Sequence, residues 1–324
     1  MDGDEGLTGI KMIQIQASML YPIVSAYEYE FLKGEKAVQD HIGECTLYLI
    51  VQRPLTYFTN LSDEPGGLRF DITDDSGEPL SCYLPFAEND FCPPNGSIDL
   101  NLLFLKKDMD KAAPFNDLGG FQLLKRDGEF IVWYSPQKFI YEVLAGNLVA
   151  EIDGDPLRFS DYRVHYVGKA FSLKVWKRLT GHHALQKILT MEGHLSEKQE
   201  ARAPWEVSIA MLSITGFDEA NMGFNWEFAV PQGLSPITYP MNTPEEAMTF
   251  YTLRKPTDAQ LTTEMETGLI SILQPEYNDI KYKEYPNVKG GTRDAGFTNS
   301  SFVIERLPAI LYTDRHRMEP IGIR

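Results

Sequence analysis

The sequence predicts an α+β protein, with a mainly β region at residues 1–135 followed by a region at 136–324 in which strands alternate with helices. Two observations carry this. As far as Tyr134, short runs of Val, Ile, Leu, Phe and Tyr are interrupted by the turn formers Asp-Glu-Pro-Gly-Gly, Asp-Asp-Ser-Gly and Pro-Pro-Asn-Gly. Beyond it, longer segments with helical spacing separate the strand-like runs.

In the first region, Thr46–Val51, Leu68–Ile72, Leu80–Phe86 and Ile98–Leu105 read as strands. Gly120–Tyr134 reads as a hairpin, with Asp127-Gly128 suited to a tight primed turn. In the second, Arg163–Val167 is a short strand. Ser172 can cap a helix running to about Met191, with Leu173, Trp176, Leu179 and Ile188 on its inward stripe. Glu206–Ile214 alternates as a strand. Residues 218–245 are irregular, and Thr243-Pro-Glu-Glu looks like a helix start. Asp258–Leu273 reads as a helix ended by Pro275, and Ser301–Tyr312 returns to strand-like alternation.

With 43% apolar and 12% aromatic residues in 324, the chain has material for one large domain or two ordinary ones. It is not a disordered composition. No run of apolar residues is long enough to span a bilayer, and the start Met-Asp-Gly-Asp-Glu is acidic where a signal peptide is basic, so a cytoplasmic protein without a membrane partner is expected. Cys45, Cys82 and Cys92 are odd in number and irregularly spaced, and only His41 lies near one of them; buried thiols are expected rather than a structural metal.

The net charge of −16 is unevenly distributed. Residues 1–135 hold 22 acids and 10 bases, a net of −12, and the remainder carries −4. From Tyr162 to Met191 there is no acid, while Arg163, Lys169, Lys174, Lys177, Arg178 and Lys187 gather there with His165, His182 and His183. Such a local basic patch suits phosphate binding despite the acidic total.

That patch contains Tyr166-Val167-Gly168, with Arg178 twelve positions after Tyr166 and His182 four after Arg178. Farther along stands Glu266-Thr-Gly-Leu-Ile, then Pro275-Glu-Tyr-Asn278. Together these segments resemble the GIY-YIG nuclease superfamily. There a strand ends in Tyr-Ile/Val-Gly, an Arg and often a His follow on the next helix, and a later helix reads Glu-x-x-Leu-Ile before Pro-x-Tyr-Asn. The resemblance covers roughly residues 140–280 and implies a small antiparallel sheet flanked by helices, appended to the β-rich region as a nuclease domain at 136–324.

It also implies a divalent-metal-dependent endonuclease. A lone carboxylate, Glu266, would hold Mg²⁺ (or Mn²⁺), which keeps most of its waters and bridges to phosphate. Arg178 would grip phosphate oxygens with its planar fork. Tyr166 would stand near the attacking water, and His182 would relay a proton or bind phosphate. Lys169, Lys174, Lys177, His183 and Asn278 would contact the nucleic acid or support the site. Two alternatives stay open here: Glu264 competes with Glu266, and His183 with His182.

The family's first strand supplies a second tyrosine shortly before the Tyr-x-Gly strand, but position 155 is Asp. Tyr141, in Phe139-Ile140-Tyr141, is one candidate. Otherwise Asn147–Ile152 is the first strand, leaving Tyr162 to be recruited. The partners expected are DNA rather than RNA, a second copy of the chain for double-strand cleavage, and a protein or ligand activator acting through the N-terminal region. Restriction or phage defence is the implied role; the alternative is an inactive nucleic-acid-binding or sensor protein.

Overall fold

The structure, a computed structural model, describes residues 12–32, 34–74, 76–93, 96–105, 112–170, 175, 179, 183–191, 205–214, 257–294 and 299–320. In chain order the elements are β1 (Met12–Met19), β2 (Val24–Ser25), α1 (Ala26–Leu32), α2 (Lys36–Ile42) and β3 (Leu47–Pro54). There follow β4 (Tyr57–Glu64), β5 (Gly67–Thr73), β6 (Leu80–Pro85), β7 (Ile98–Phe104), β8 (Leu118–Lys125) and β9 (Phe130–Tyr134). Next come α3 (Pro136–Leu144), β10 (Glu151–Asp153), a 3₁₀ turn at Pro156–Phe159 and β11 (Asp161–Lys169). The chain continues with α4 (His183–Met191), β12 (Trp205–Ile214), α5 (Asp258–Leu273), β13 (Asn299–Glu305), β14 (Ile310–Tyr312) and β15 (Arg317–Met318).

These elements make a mostly β protein, which overturns the expected α+β arrangement of a small antiparallel sheet flanked by helices. One sheet runs β13-β1-β12-β3-β11-β14-β15, with β2 on β12; the other runs β10-β6-β5-β4-β8-β7, with β9 on β8. The expectation failed because the strands of the first sheet come from far apart. β3 lies between β11 and β12, and β1 pairs in parallel with β13, so chain from both sides of residue 135 builds that sheet. Pairing of this kind leaves no local spacing to detect.

Several local readings agree with the described elements. Asp258–Leu273 is a helix as read, Leu80–Phe86 and Ile98–Leu105 are strands that end one residue earlier, at Pro85 and Phe104, and the β8–β9 hairpin forms. Its turn differs from the primed one: only Gly128 has positive φ, +86°, and the ladder shifts register between Leu123 and Leu124. A type I turn followed by a left-handed glycine and a bulge explains both observations. The helix read from Ser172 lies largely outside the described residues. So do 218–245 and the helix start at Thr243.

Three apolar clusters form the core. Val51, Val164, Val167 and Leu212 of the first sheet meet Leu261, Met265 and Leu269 of α5 on one face. Tyr48, Ile50, Ile209 and Met211 meet Val175, Leu179 and Ile188 on the other. The second sheet encloses Phe58, Phe70, Phe121 and, from α3, Phe139. Arg53 of β3, 1% exposed, links the sheets: its guanidinium donates to the Phe159 carbonyl at 2.8 Å and to Gln137 Oε1 at 2.9 Å. Among the described residues no helix is long and apolar enough to cross a membrane.

Candidate functional site

The Tyr166-Val167-Gly168 segment forms the last part of β11. Its neighbour β14 pairs only with Asp161–Arg163, so the strand's edge is uncovered from there onward. The loop after α5 covers it. Tyr277 N donates to the His165 carbonyl at 3.1 Å. Asn278 Oδ1 accepts from Val167 N at 2.9 Å, and its Nδ2 donates to Val167 O at 2.8 Å. The side-chain amide thus stands in for one residue of a pairing strand, satisfying backbone groups that would otherwise be orphaned. Asn278 is 7% exposed and holds Val167, tying the loop after α5 to β11.

On β3, antiparallel to β11, Tyr48 lies opposite Gly168. The Tyr48 and Tyr166 rings are 6.1 Å apart at 30°. Both hang over Gly168, where an added Cβ would lie 2.6 Å from Tyr166 Cε1 and 2.6 Å from Tyr48 Oη. Glycine is required at this position because two rings occupy the space of its side chain. Tyr48 is fully buried and Tyr166 half-buried.

The helix α5 meets the same end of the β3–β11 pair. Its start is secured by a capping box, Thr257 with Gln260, and its end by Gln274 at φ +48°. Thr262 Oγ1 lies 2.8 Å from Thr46 Oγ1, just before β3. One turn later Glu266 Oε2 is 2.7 Å from Lys169 Nζ, with the side chains 13% and 35% exposed. Lys169 and Glu266, assigned respectively to phosphate and to metal, therefore form an ion pair with each other.

Glu264, the competing carboxylate, is 1% exposed and bound on all sides. Its Oε1 accepts from Thr292 N, and its Oε2 accepts from Thr292 Oγ1, each at 2.6 Å, and from the Tyr285 hydroxyl. It fastens the 285–292 segment to α5 and has no access to a substrate. Of the two, Glu266 is the carboxylate that solvent reaches.

Tyr141 is not the strand partner of Tyr166. It lies in α3, which Ser135 caps with Pro136 in the first turn, a start signal that makes Phe139-Ile140-Tyr141 helical. Asn147–Ile152 contributes only its end, Glu151–Ile152, to β10 in the other sheet, and Tyr162 packs in the core under the Arg53 guanidinium, 5.3 Å from its ring centroid. Arg178, His182, Lys174 and Lys177 lie outside the described residues. His183 is exposed at the start of α4, and Lys187 of that helix sits over Tyr277, 5.3 Å from the ring centroid.

The contact of Tyr48 with Tyr166 is one that the sequence did not reveal. Thr46–Val51 was legible as a strand, but the whole second sheet intervenes between it and Tyr166. Among the described residues no three His, Cys, Asp or Glu side chains cluster to hold a metal, so a cation here would rest on Glu266, with phosphate and water completing its shell. Cys45 and Cys82 are buried free thiols and Cys92 is half-buried. Burial pushes the first two thiols up to about 12. The chain matches no family model, no curated protein and no solved structure.

Proposed function

We propose that the chain is a divalent-metal-dependent phosphodiesterase acting on nucleic acid, DNA in the first instance, with Glu266 as the metal carboxylate and Lys169 as a phosphate contact beside it, whereas Tyr48 and Tyr166 lie on the opposite face of the sheet. The observation that carries this reading is a convergence. Two segments chosen from sequence for their likeness to one nuclease family, far apart in the chain, meet at Val167–Asn278 and at Lys169–Glu266.

The chemistry divides among these residues as follows. A divalent ion held by Glu266 would supply charge neutralisation at the phosphate and a more acidic bound water. Lys169, displaced from Glu266 by such an ion, would then be available to a phosphate oxygen. A non-catalytic reading has its own support in that ion pair: a carboxylate already neutralised by an amine needs no metal, and the protein would then be a nucleic-acid-binding or sensor protein.

Incubation with plasmid and single-stranded DNA in Mg²⁺ or Mn²⁺ separates the two. Cleavage by the wild type that is lost in Glu266→Gln supports catalysis. Cleavage that persists in Glu266→Gln refutes the metal assignment. DNA binding without cleavage under either cation supports the second reading.

A further inference from the structure

A second candidate site lies away from β11, where α3 faces the first sheet. A cavity of about 760 Å³ opens between the loop after β1, α2, α3 and the 306–308 connection between β13 and β14. Its size falls within the range of small-molecule sites. Its wall carries Tyr21, His41, Lys138, Tyr141, Glu142 and Arg306.

The charges in this wall are unevenly satisfied. Lys138 is held over the Tyr134 ring, 5.5 Å from its centroid, and among the described residues neither Lys138 nor Arg306 forms an ion pair. The nearby carboxylates are engaged elsewhere. Glu142 accepts from Asn147 Nδ2 at 2.9 Å, and Glu28 accepts from Ser25 N at 3.0 Å and from Gln137 Nε2. Arg306 also stands at φ +54°, a conformation that a non-glycine residue keeps only where its surroundings impose it, and which recurs at ligand clamps. Two aromatic hydroxyl groups complete the wall, with the Tyr21 ring set edge-on to His41 at 6.3 Å.

We propose that this cleft binds a small phosphate ester of nucleotide size, its phosphate held by Lys138 and Arg306 and its ring system by Tyr21 and Tyr141. Burial lowers the Lys138 pKa, with Glu142 and Glu28 opposing, so a bound anion would return to the amine the charge stabilisation it lacks. The phenols of Tyr21 and Tyr141 are both pushed up to about 12, first by burial, and they remain neutral hydrogen-bond donors to phosphate at physiological pH. Because Tyr141 packs against the first sheet's core while its helix packs in the second's, an occupant would bridge the two sheets. This inference is independent of the nuclease reading.

Isothermal titration calorimetry of the full chain with AMP, ribose 5-phosphate and adenosine tests it. Both phosphate esters are expected to bind, and adenosine at least about tenfold more weakly than AMP. The double variant Lys138→Gln/Arg306→Gln, with an unchanged circular dichroism spectrum, loses at least about tenfold in AMP affinity. Should that variant unfold, Tyr141→Phe removes a single hydroxyl and is expected to weaken AMP severalfold. No binding of either ester at millimolar concentration overturns the proposal, as does undiminished AMP affinity in the folded variants.

Discussion

The two sheets are built in opposite ways. The second sheet is made from one stretch of chain, β4 to β10, in which β4-β5-β6 and β7-β8-β9 pair as consecutive neighbours. The first collects β1 to β3, β11, β12 and β13 to β15 from both sides of that stretch. Local pairing closes short loops and costs little chain entropy, whereas the first sheet must bring distant segments together before any contact repays the cost. Its cross-connections, Asn278 on Val167 and Glu264 on Thr292, are consequently side chains buried to hold backbone. The candidate catalytic residues occupy the sheet assembled from distant pieces, and the second sheet is inserted between the two tyrosine strands.

The largest effect should come from the aromatic core of the inserted sheet. Phe70 is fully buried and packs edge-on to Phe58 and Phe139, each with ring centroids 5.0 Å away. Phe70→Ala should cost about 3–5 kcal/mol in denaturant unfolding. If the two sheets unfold separately, the loss will be confined to one of two transitions; a single shifted transition would show that Arg53 couples them.

The junction itself gives a pH test of nearly the same size. Burial pushes the Glu206 carboxyl up to about 7, opposed by Arg53 at 3.8 Å and assisted by Glu28. A carboxyl whose folded pKa is raised binds its proton more tightly in the folded chain. Stability is therefore greatest below the unfolded value and declines as pH rises through the folded one. Relative to Glu206→Gln, the wild type should lose on the order of 3 kcal/mol between pH 4.5 and pH 7 and nothing further above that. Parallel stability curves for the two proteins over this window would refute the shift.

Legibility in the sequence followed the same division. The β5, β6, β7 and β8–β9 segments could be read because their turns and alternation are local. The α5 helix could be read because Pro275 marks its end, while the capping box of Thr257 and Gln260 at its start went unread. Lys169, Glu266 and Asn278 were found through their motif, yet their engagement with one another and with Val167 was invisible, since sequence spacing says nothing about which distant groups pair. The α+β expectation failed on strand order, which depends on β3 lying between β11 and β12. Tyr48 escaped because an entire sheet separates it from Tyr166, and Tyr141 was a candidate because Phe139-Ile140-Tyr141 resembles the family's first-strand tripeptide.

Gly168 tests how firmly the tyrosine pair is packed on the other face of the sheet. With both rings 2.6 Å from where a Cβ would stand, Gly168→Ala must move Tyr166 or Tyr48. A loss of about 1–3 kcal/mol is expected from overpacking. Stability unchanged within error would mean that the rings yield freely and are not held as a pair.

The smallest expected change in stability is at Glu266, and it is the most informative for function. The Lys169–Glu266 pair is partly exposed at 35% and 13%, so solvent screens it, and Glu266→Gln should cost under about 1 kcal/mol. Glu264→Gln, on the same helix, weakens a carboxylate that accepts three hydrogen bonds and should cost more. The two variants thus divide the roles. On the proposed reading, Glu264→Gln should impair cleavage only as far as it destabilises the fold, while Glu266→Gln should keep the fold and lose metal-dependent cleavage. A Glu266→Gln protein that unfolds as readily as Glu264→Gln would make the ion pair a structural device and remove the central argument for a catalytic site at this end of β11.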